Sequence, residues 1–311
     1  MANINPELTT PVLFLVFNRP ELTAKVFNEI KKAKPKRLFI AADGSRPGVK
    51  GEKEKIDRVK EIVSHVDWAC EVKTLFREKN AGCKIAVSSA INWFFEQVEE
   101  GIILEDDCLP SNSFFFFCQE LLERYRKDER IMQITGSNYG YVDPAFPYDY
   151  FFTKYAVIWG WATWKSAWSK MDLDLPYLEE CITLSFLDTV YFSKGEILKS
   201  INDFKKYKKG RIDTWDYPWN FSMITHNGLA VVPRLNLITN IGFDGDSTHT
   251  GNIRDPRIKS ILSDFSSWPL NHPSYCVKNS HFDHLVSRQR RASKWQCIIQ
   301  RIMHWIPFSK C

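Results

Sequence analysis

The chain has 311 residues, with 44% hydrophobic and 14% aromatic content and a formal net charge of +5. That is enough apolar material for one sizeable core, and no Pro, Gly or Ser-rich linker, internal repeat or low-complexity tract divides it, which argues against a disordered or multidomain protein. The opening MANINPELTT lacks the charged-then-apolar pattern of a signal peptide, and no run reaches the ~20 apolar residues of a spanning helix, so a cytoplasmic protein is expected.

Residues 11–17 (PVLFLVF) form a continuous apolar run rich in β-branched and aromatic side chains, as in a strand buried on both faces. Leu22, Val26, Phe27 and Ile30 then recur at helical spacing just after Pro20, predicting a helix over 21–32. A strand follows at 37–42, ending in Asp43-Gly44, then a helix at 53–63, a strand at 72–76, a helix at 85–95 and a strand at 102–104. Beyond these come a helix at 114–125 and a strand at 131–135. Such alternation predicts a parallel, doubly wound sheet, whose ligands sit beyond the carboxyl ends of the strands. Asn18, Arg19, Asp43 and the run Glu105-Asp106-Asp107 all fall there.

Three consecutive carboxylates at a strand end repel one another, which calls for a nearby cation, most simply a divalent metal; a solvated acidic turn is the bland alternative. The eight cysteines show no CxxC pair and no short framework spacing, as expected of reduced thiols rather than a zinc site. Charge is unevenly placed. Residues 285–311 carry six basic side chains and no acid, which leaves one net negative charge for the rest. Trp295, Ile298, Ile299, Ile302, Met303 and Ile306 recur there at helical spacing, as in a helix lying on an anionic membrane or packed against the domain. With basic residues concentrated in the tail and no binding motif beside them, nucleic acid is not the expected partner.

Several stretches, in order, resemble the GT-A-fold glycosyltransferases, and among them the N-acetylglucosaminyltransferase I type, whose variant of the Asp-x-Asp metal motif is Glu-Asp-Asp. They are PVLFLVFNRPEL, IAADGS, CKIAVSSAINWFF, GIILEDDCLPSNSFFFF, IWGWATWKSAW, TWDYPW and GDSTHTG, spanning roughly residues 11 to 252. The resemblance implies an α/β GT-A fold, a Rossmann-like mixed sheet flanked by helices, and a metal-dependent transfer of a sugar from a nucleotide diphosphate donor, a UDP-sugar above all. It implies Mn²⁺ or Mg²⁺ as cofactor, with Asp107 as direct ligand and Asp106 at the metal shell or ribose. Glu105 is placed nearer the sugar, and Arg19, Asp43 and Lys84 are matched to nucleotide-sugar contacts, Asp43 being suited to accept a uracil N–H. Thr248 and His249 would close over the diphosphate, and Trp159, Gly160 and Trp161 would face the acceptor, a glycan or lipid-linked saccharide. Trp161, Trp164 and Trp168 follow helical spacing, which favours core packing for Trp164 and Trp168.

Inverting transfer needs a general base, and Asp216 is the candidate, although it also begins a predicted helix and would cap it. The matched segment carries one Asp between its tryptophans where the family has two, so Asp213 competes for the role. The expected layout is a transferase domain over 1–275 and a basic amphipathic tail over 276–311, which would bring the protein to the inner face of a membrane. Two other readings remain: a sugar-nucleotide pyrophosphorylase, for which Phe17-Asn18-Arg19-Pro20 lacks the expected glycine-rich first loop, and a non-catalytic, membrane-docked sugar-nucleotide binder.

Overall fold

The computed structural model describes residues 7–242 and 261–290. Its first half follows the strand and helix alternation of the sequence: β1 (Val12–Val16), α1 (Pro20–Ala33), β2 (Arg37–Ala42), α2 (Glu52–Ser64), β3 (Glu71–Phe76), α3 (Gly82–Phe95) and β4 (Glu100–Glu105). Every residue of β1 is buried, as its unbroken apolar run requires, and it pairs in parallel with β2 on one side and β4 on the other. Pro20 opens α1, where a missing N–H costs nothing, and Lys34 closes it in the left-handed region with φ 49°.

The second half departs from the parallel expectation. After β5 (Cys108–Pro110), α4 (Asn112–Tyr125) and β6 (Ile131–Thr135) come β7 (Tyr150–Thr153) and β8 (Trp161–Trp164). Strand β8 inserts antiparallel between β4 and β6. Four helices, α5 (Lys165–Trp168), α6 (Leu178–Thr183), α7 (Leu187–Val190) and α8 (Lys194–Lys208), lead to α9 (Asp216–Thr225), β9 (Leu229–Pro233) and β10 (Ile238–Asn240). The eight-stranded sheet runs β3-β2-β1-β4-β8-β6-β9-β7, with β5 and β10 in a separate antiparallel pair. It is therefore a mixed sheet flanked by helices. The helical reading of Trp161, Trp164 and Trp168 gives way here: the first two lie in β8 and the third ends α5. All residues of β8 are buried, which removed the alternation that would have marked it as a strand.

Among the described residues two apolar clusters form the core. The larger holds β1, β2, β4 and the inner faces of α1, α3 and α4, and the smaller gathers β7, α6, α8 and α10 (Ser280–Arg290). Helix α10 is the first part of the segment expected to form the tail, and its Phe282 and Val286 are buried against the body. The stripe from Trp295 to Ile306 lies outside the described residues. Within the smaller cluster Glu196 is fully buried and accepts hydrogen bonds from Tyr155 Oη (2.9 Å), Ser287 Oγ (2.6 Å) and the Phe192 N–H (3.2 Å). It thereby joins the start of α8 to β7's exit and to α10. Replacing Glu196 by Ala would strand two buried hydroxyl donors and the half-buried Phe192 N–H, and should destabilise the fold by roughly 3–5 kcal/mol in urea titration, with Glu196→Gln clearly milder. Equal stability of Glu196→Ala and wild type would remove this network as an anchor.

Candidate active site

The strand order turns at β1 and β4, and the cleft beyond their carboxyl ends is where this fold class places ligands. The loop from β1 to α1 is three residues long, so Arg19 lies directly over the end of β4. Its Nη1 donates to Asp107 Oδ2 at 2.8 Å and reaches Asp106 Oδ1 at 3.4 Å. Burial alone would lower the Arg19 pKa, but the charges of Asp106 and Asp107 outweigh it and hold the guanidinium firmly charged. Asp106 also accepts the Phe17 N–H at 3.3 Å, and the Cys108 thiol lies 3.4 Å from Asp107 Oδ1.

One arginine does not balance three carboxylates. Burial, against the pull of Arg19 and with the repulsion of Asp107, pushes Asp106 up to about 7. Burial first, then the charges of Asp107, Asp106 and Asp216, raises Glu105 well above its usual range. The cluster is thus one cation short, and its donors are hard oxygens of the kind Mg²⁺ and Mn²⁺ prefer. The residues fit such an ion, though among the described residues no group of three or more potential ligands is gathered into a cage.

Asp216 faces this cluster from α9, and its charge bears on Glu105, Cys83 and Tyr207. Its position is set by tryptophans. Trp215 and Trp219 on either side of it are buried, Trp215 stacking on Trp161 at 5.4 Å and 13° and Trp219 lying 5.4 Å from both Trp161 and Trp168. Trp161 is only 1% exposed, so the acceptor role expected for it is corrected: a ring enclosed by three others offers no face to a sugar and instead anchors the first turn of α9. Trp159 is partly buried and edge-on to Tyr139 at 5.3 Å. Gly160, at φ +57°, has no room for a side chain, since a Cβ would fall 2.4 Å from Ile238 Cδ1.

Two other predicted site residues turn out to hold one helix. The N-cap of α3, Ala81, has no capping side chain, yet its N–H and that of Gly82 donate to the Asp43 carboxylate at 3.0 Å and 3.2 Å. Asp43 also accepts from the Gly44 N–H and Asn80 Nδ2, both at 2.9 Å. A carboxylate offers about four acceptor positions, and these four donors use them. Asp43 is thus a clamp on the loop that leads into α3, a role the sequence reading did not give it. Asp213 takes the next two donors, the N–H groups of Cys83 (3.0 Å) and Lys84 (3.3 Å). Helix α3 is capped entirely by distant acids, and Asp213 is occupied in that capping. Lys84 reaches over the Tyr207 ring at 4.5 Å, within the cleft. Cys83, which the sequence reading missed, belongs to the cleft too, its thiol pushed up to about 12 by burial and by Glu105, Asp213 and Asp216. Thr248 and His249 lie outside the described residues.

No protein-family model and no curated protein matches the chain. Similar solved structures include an apo UDP-glucose pyrophosphorylase, 11% identical over 75% of this chain and 93% of that one, with a TM-score of 0.36. A UDP-glucose pyrophosphorylase complexed with UDP-glucose matches at 12% identity over 52% of this chain and 78% of that one, TM-score 0.31. The inositol-1-phosphate CTP transferase from T. maritima matches at 11% over 52% and 73%, TM-score 0.32. Likeness at this level decides neither ligand nor reaction.

The raised carboxyls give the fold a pH signature. Asp106 has an ordinary value of 3.8 and a folded value of about 7, so between the two the folded chain holds a proton that the unfolded chain has lost, and stability falls as pH rises through that window. With chelator present, the melting temperature should be higher at about pH 5.5 than at about pH 7.5, and Asp106→Asn should flatten part of the slope. An unchanged slope in Asp106→Asn would refute the charge imbalance.

Proposed function

We propose that this protein is a metal-dependent, inverting glycosyltransferase that moves a sugar from a nucleotide diphosphate donor, a UDP-sugar, to a hydroxyl of a glycan or lipid-linked saccharide. The observation that carries the reading is the uncompensated Glu105-Asp106-Asp107 cluster at the end of β4, with Asp216 facing it. Asp107, with Asp106, would hold Mn²⁺ or Mg²⁺, which when bound offsets charge developing on the departing diphosphate. Arg19 bridges the two carboxylates, at 2.8 Å from Asp107 and 3.4 Å from Asp106, and orients them toward that position. The acceptor oxygen attacks the anomeric carbon, the bond to the diphosphate oxygen breaks with its electron pair, and Asp216 takes the hydroxyl proton. Trp159 and Gly160, beside β8, form the acceptor-side wall.

The contrasting pyrophosphorylase reading needs a backbone cradle for a triphosphate and pyrophosphate. Here the β1–α1 connection is Phe17-Asn18-Arg19, with no glycine, and the N-terminal N–H groups of α3 are consumed by Asp43 and Asp213. Membrane placement is supported on the chain's own terms by the basic segment from 285 onward. Among the described residues no helix is long and apolar enough to cross a membrane.

Incubation with a panel of UDP-sugars and Mn²⁺ should give slow release of UDP, whereas formation of UTP from UDP-glucose and pyrophosphate would replace the proposal with its rival. Asp107→Ala should abolish UDP release together with the Mn²⁺-dependent thermal stabilisation by UDP; full activity at saturating donor would end the metal assignment. Asp216→Asn should lower transfer by roughly 10² to 10⁴ while leaving donor binding intact. Asp213→Ala should instead lower stability by about 1 kcal/mol, as a lost helix cap does, with turnover largely kept. The opposite ranking would move the base to Asp213.

A further inference from the structure

Helix α8 has a division of charge that the cleft does not use. The stretch from Lys194 to Arg211 holds seven cationic residues against two acids, Glu196 and Asp203. Both acids are turned away from solvent: Glu196 is fully buried, and Asp203 pairs with Lys199 at 2.5 Å. The helical repeat brings Lys194, Leu198, Lys205 and Lys209 to one side, all four exposed, with Lys206 and Lys208 flanking them. In the middle of this cationic stripe Leu198 is 44% exposed, and just before the helix Phe192 is 37% exposed.

We infer that the outer face of α8 docks on an anionic lipid bilayer. Lysines on long flexible stems reach phosphate groups at a headgroup layer while an apolar side chain between them enters the acyl boundary, which is the pattern of an interfacial helix. A nucleic-acid surface would use the lysines but gain nothing from Leu198. The face is held rigidly, because Ser287 of α10 bonds Glu196 on the opposite side and His284 of α10 stacks on Phe192 at 4.1 Å. The inference uses no residue after 290, and it does not depend on the reading of the cleft.

Full-length protein should sediment with vesicles of phosphatidylglycerol and phosphatidylcholine, weakly with phosphatidylcholine alone, and progressively less as salt screens the charges. Charge reversal at Lys194→Glu, Lys205→Glu and Lys209→Glu together should reduce that partitioning at least tenfold, since each lysine at an anionic surface contributes a roughly equal increment. The neutral set Lys194→Gln, Lys205→Gln and Lys209→Gln should lose less, and Leu198→Ser should weaken the binding that survives at high salt. Circular dichroism and melting temperature establish that each variant is folded, and the basic residues after 290 are the same in all of them. Partitioning of both triple variants equal to wild type overturns the inference. So does a wild-type chain that ignores anionic vesicles while binding duplex DNA or RNA. Neither result touches release of UDP, which is measured without lipid.

Discussion

Everything at the cleft follows from placing Glu105, Asp106 and Asp107 where β4 leaves the core. The strand itself is buried through Ile102, Ile103 and Leu104, so the first carboxylates arrive before the chain has reached water. A charge held there must be neutralised or answered, and Arg19 answers only part of it. The remainder is expressed as protons bound near neutral pH by Asp106 and above the usual range by Glu105. A fold selected for stability alone would place apolar or neutral residues at this strand end. On the proposed reading a bound cation would offset the penalty that these three acids carry.

That argument separates the acids of the cleft by what already satisfies them. Asp43 and Asp213 between them receive four backbone N–H groups around the start of α3, and both are occupied in building the wall. Gly82 shows how close the clamp is: at φ +78°, a Cβ there would lie 2.7 Å from Asp213 Oδ2. Asp216 is presented by a first turn whose flanking tryptophans are locked among Trp161 and Trp168, so its backbone is fixed by packing, while its carboxylate accepts from Thr214 Oγ1 and its charge acts on Glu105. Rigid support by buried aromatic rings and charge exposure toward Glu105 are what a positioned proton acceptor requires.

The first half of the fold was legible because its strands were wholly apolar or periodic and its helices carried apolar residues at helical spacing, with a start signal at Pro20. Residues 11–17, 37–42 and 102–104 correspond to β1, β2 and β4, and Pro20 does open α1. The second half hid itself. Strand β8 is short, buried on both faces and full of tryptophan, and its residues share a spacing with a helix; β7 and β9 pair over long separations that no local pattern reports. Among site residues, the triplet and Arg19 could be read as neighbours from strand ends alone. The occupation of Asp43 could not, since its partners Ala81 and Gly82 sit almost forty residues away and donate through backbone groups that every sequence possesses. Trp161 misled for a similar reason: aromatic density marks both sugar platforms and cores, and only the arrangement of Trp168, Trp215 and Trp219 around it distinguishes them.

Helix α8 runs from the smaller apolar cluster to the cleft. At its first turn Glu196 binds Tyr155 and Ser287 deep in the smaller cluster; near its last turn Tyr207 lies beneath Lys84, stacks on Tyr217 at 6.4 Å and feels the charges of Asp213 and Asp216. Fifteen residues of helix span about 22 Å, and both ends are anchored by buried groups, so the helix behaves as a strut rather than a hinge. A surface engaged by its outer lysines is therefore held at one fixed orientation to the cleft mouth. For a soluble acceptor that constraint would bring no advantage. For an acceptor whose lipid is confined to a bilayer it reduces the search to the plane in which the reacting hydroxyl already lies, and the gain is entropic, paid in advance by the rigidity of α8.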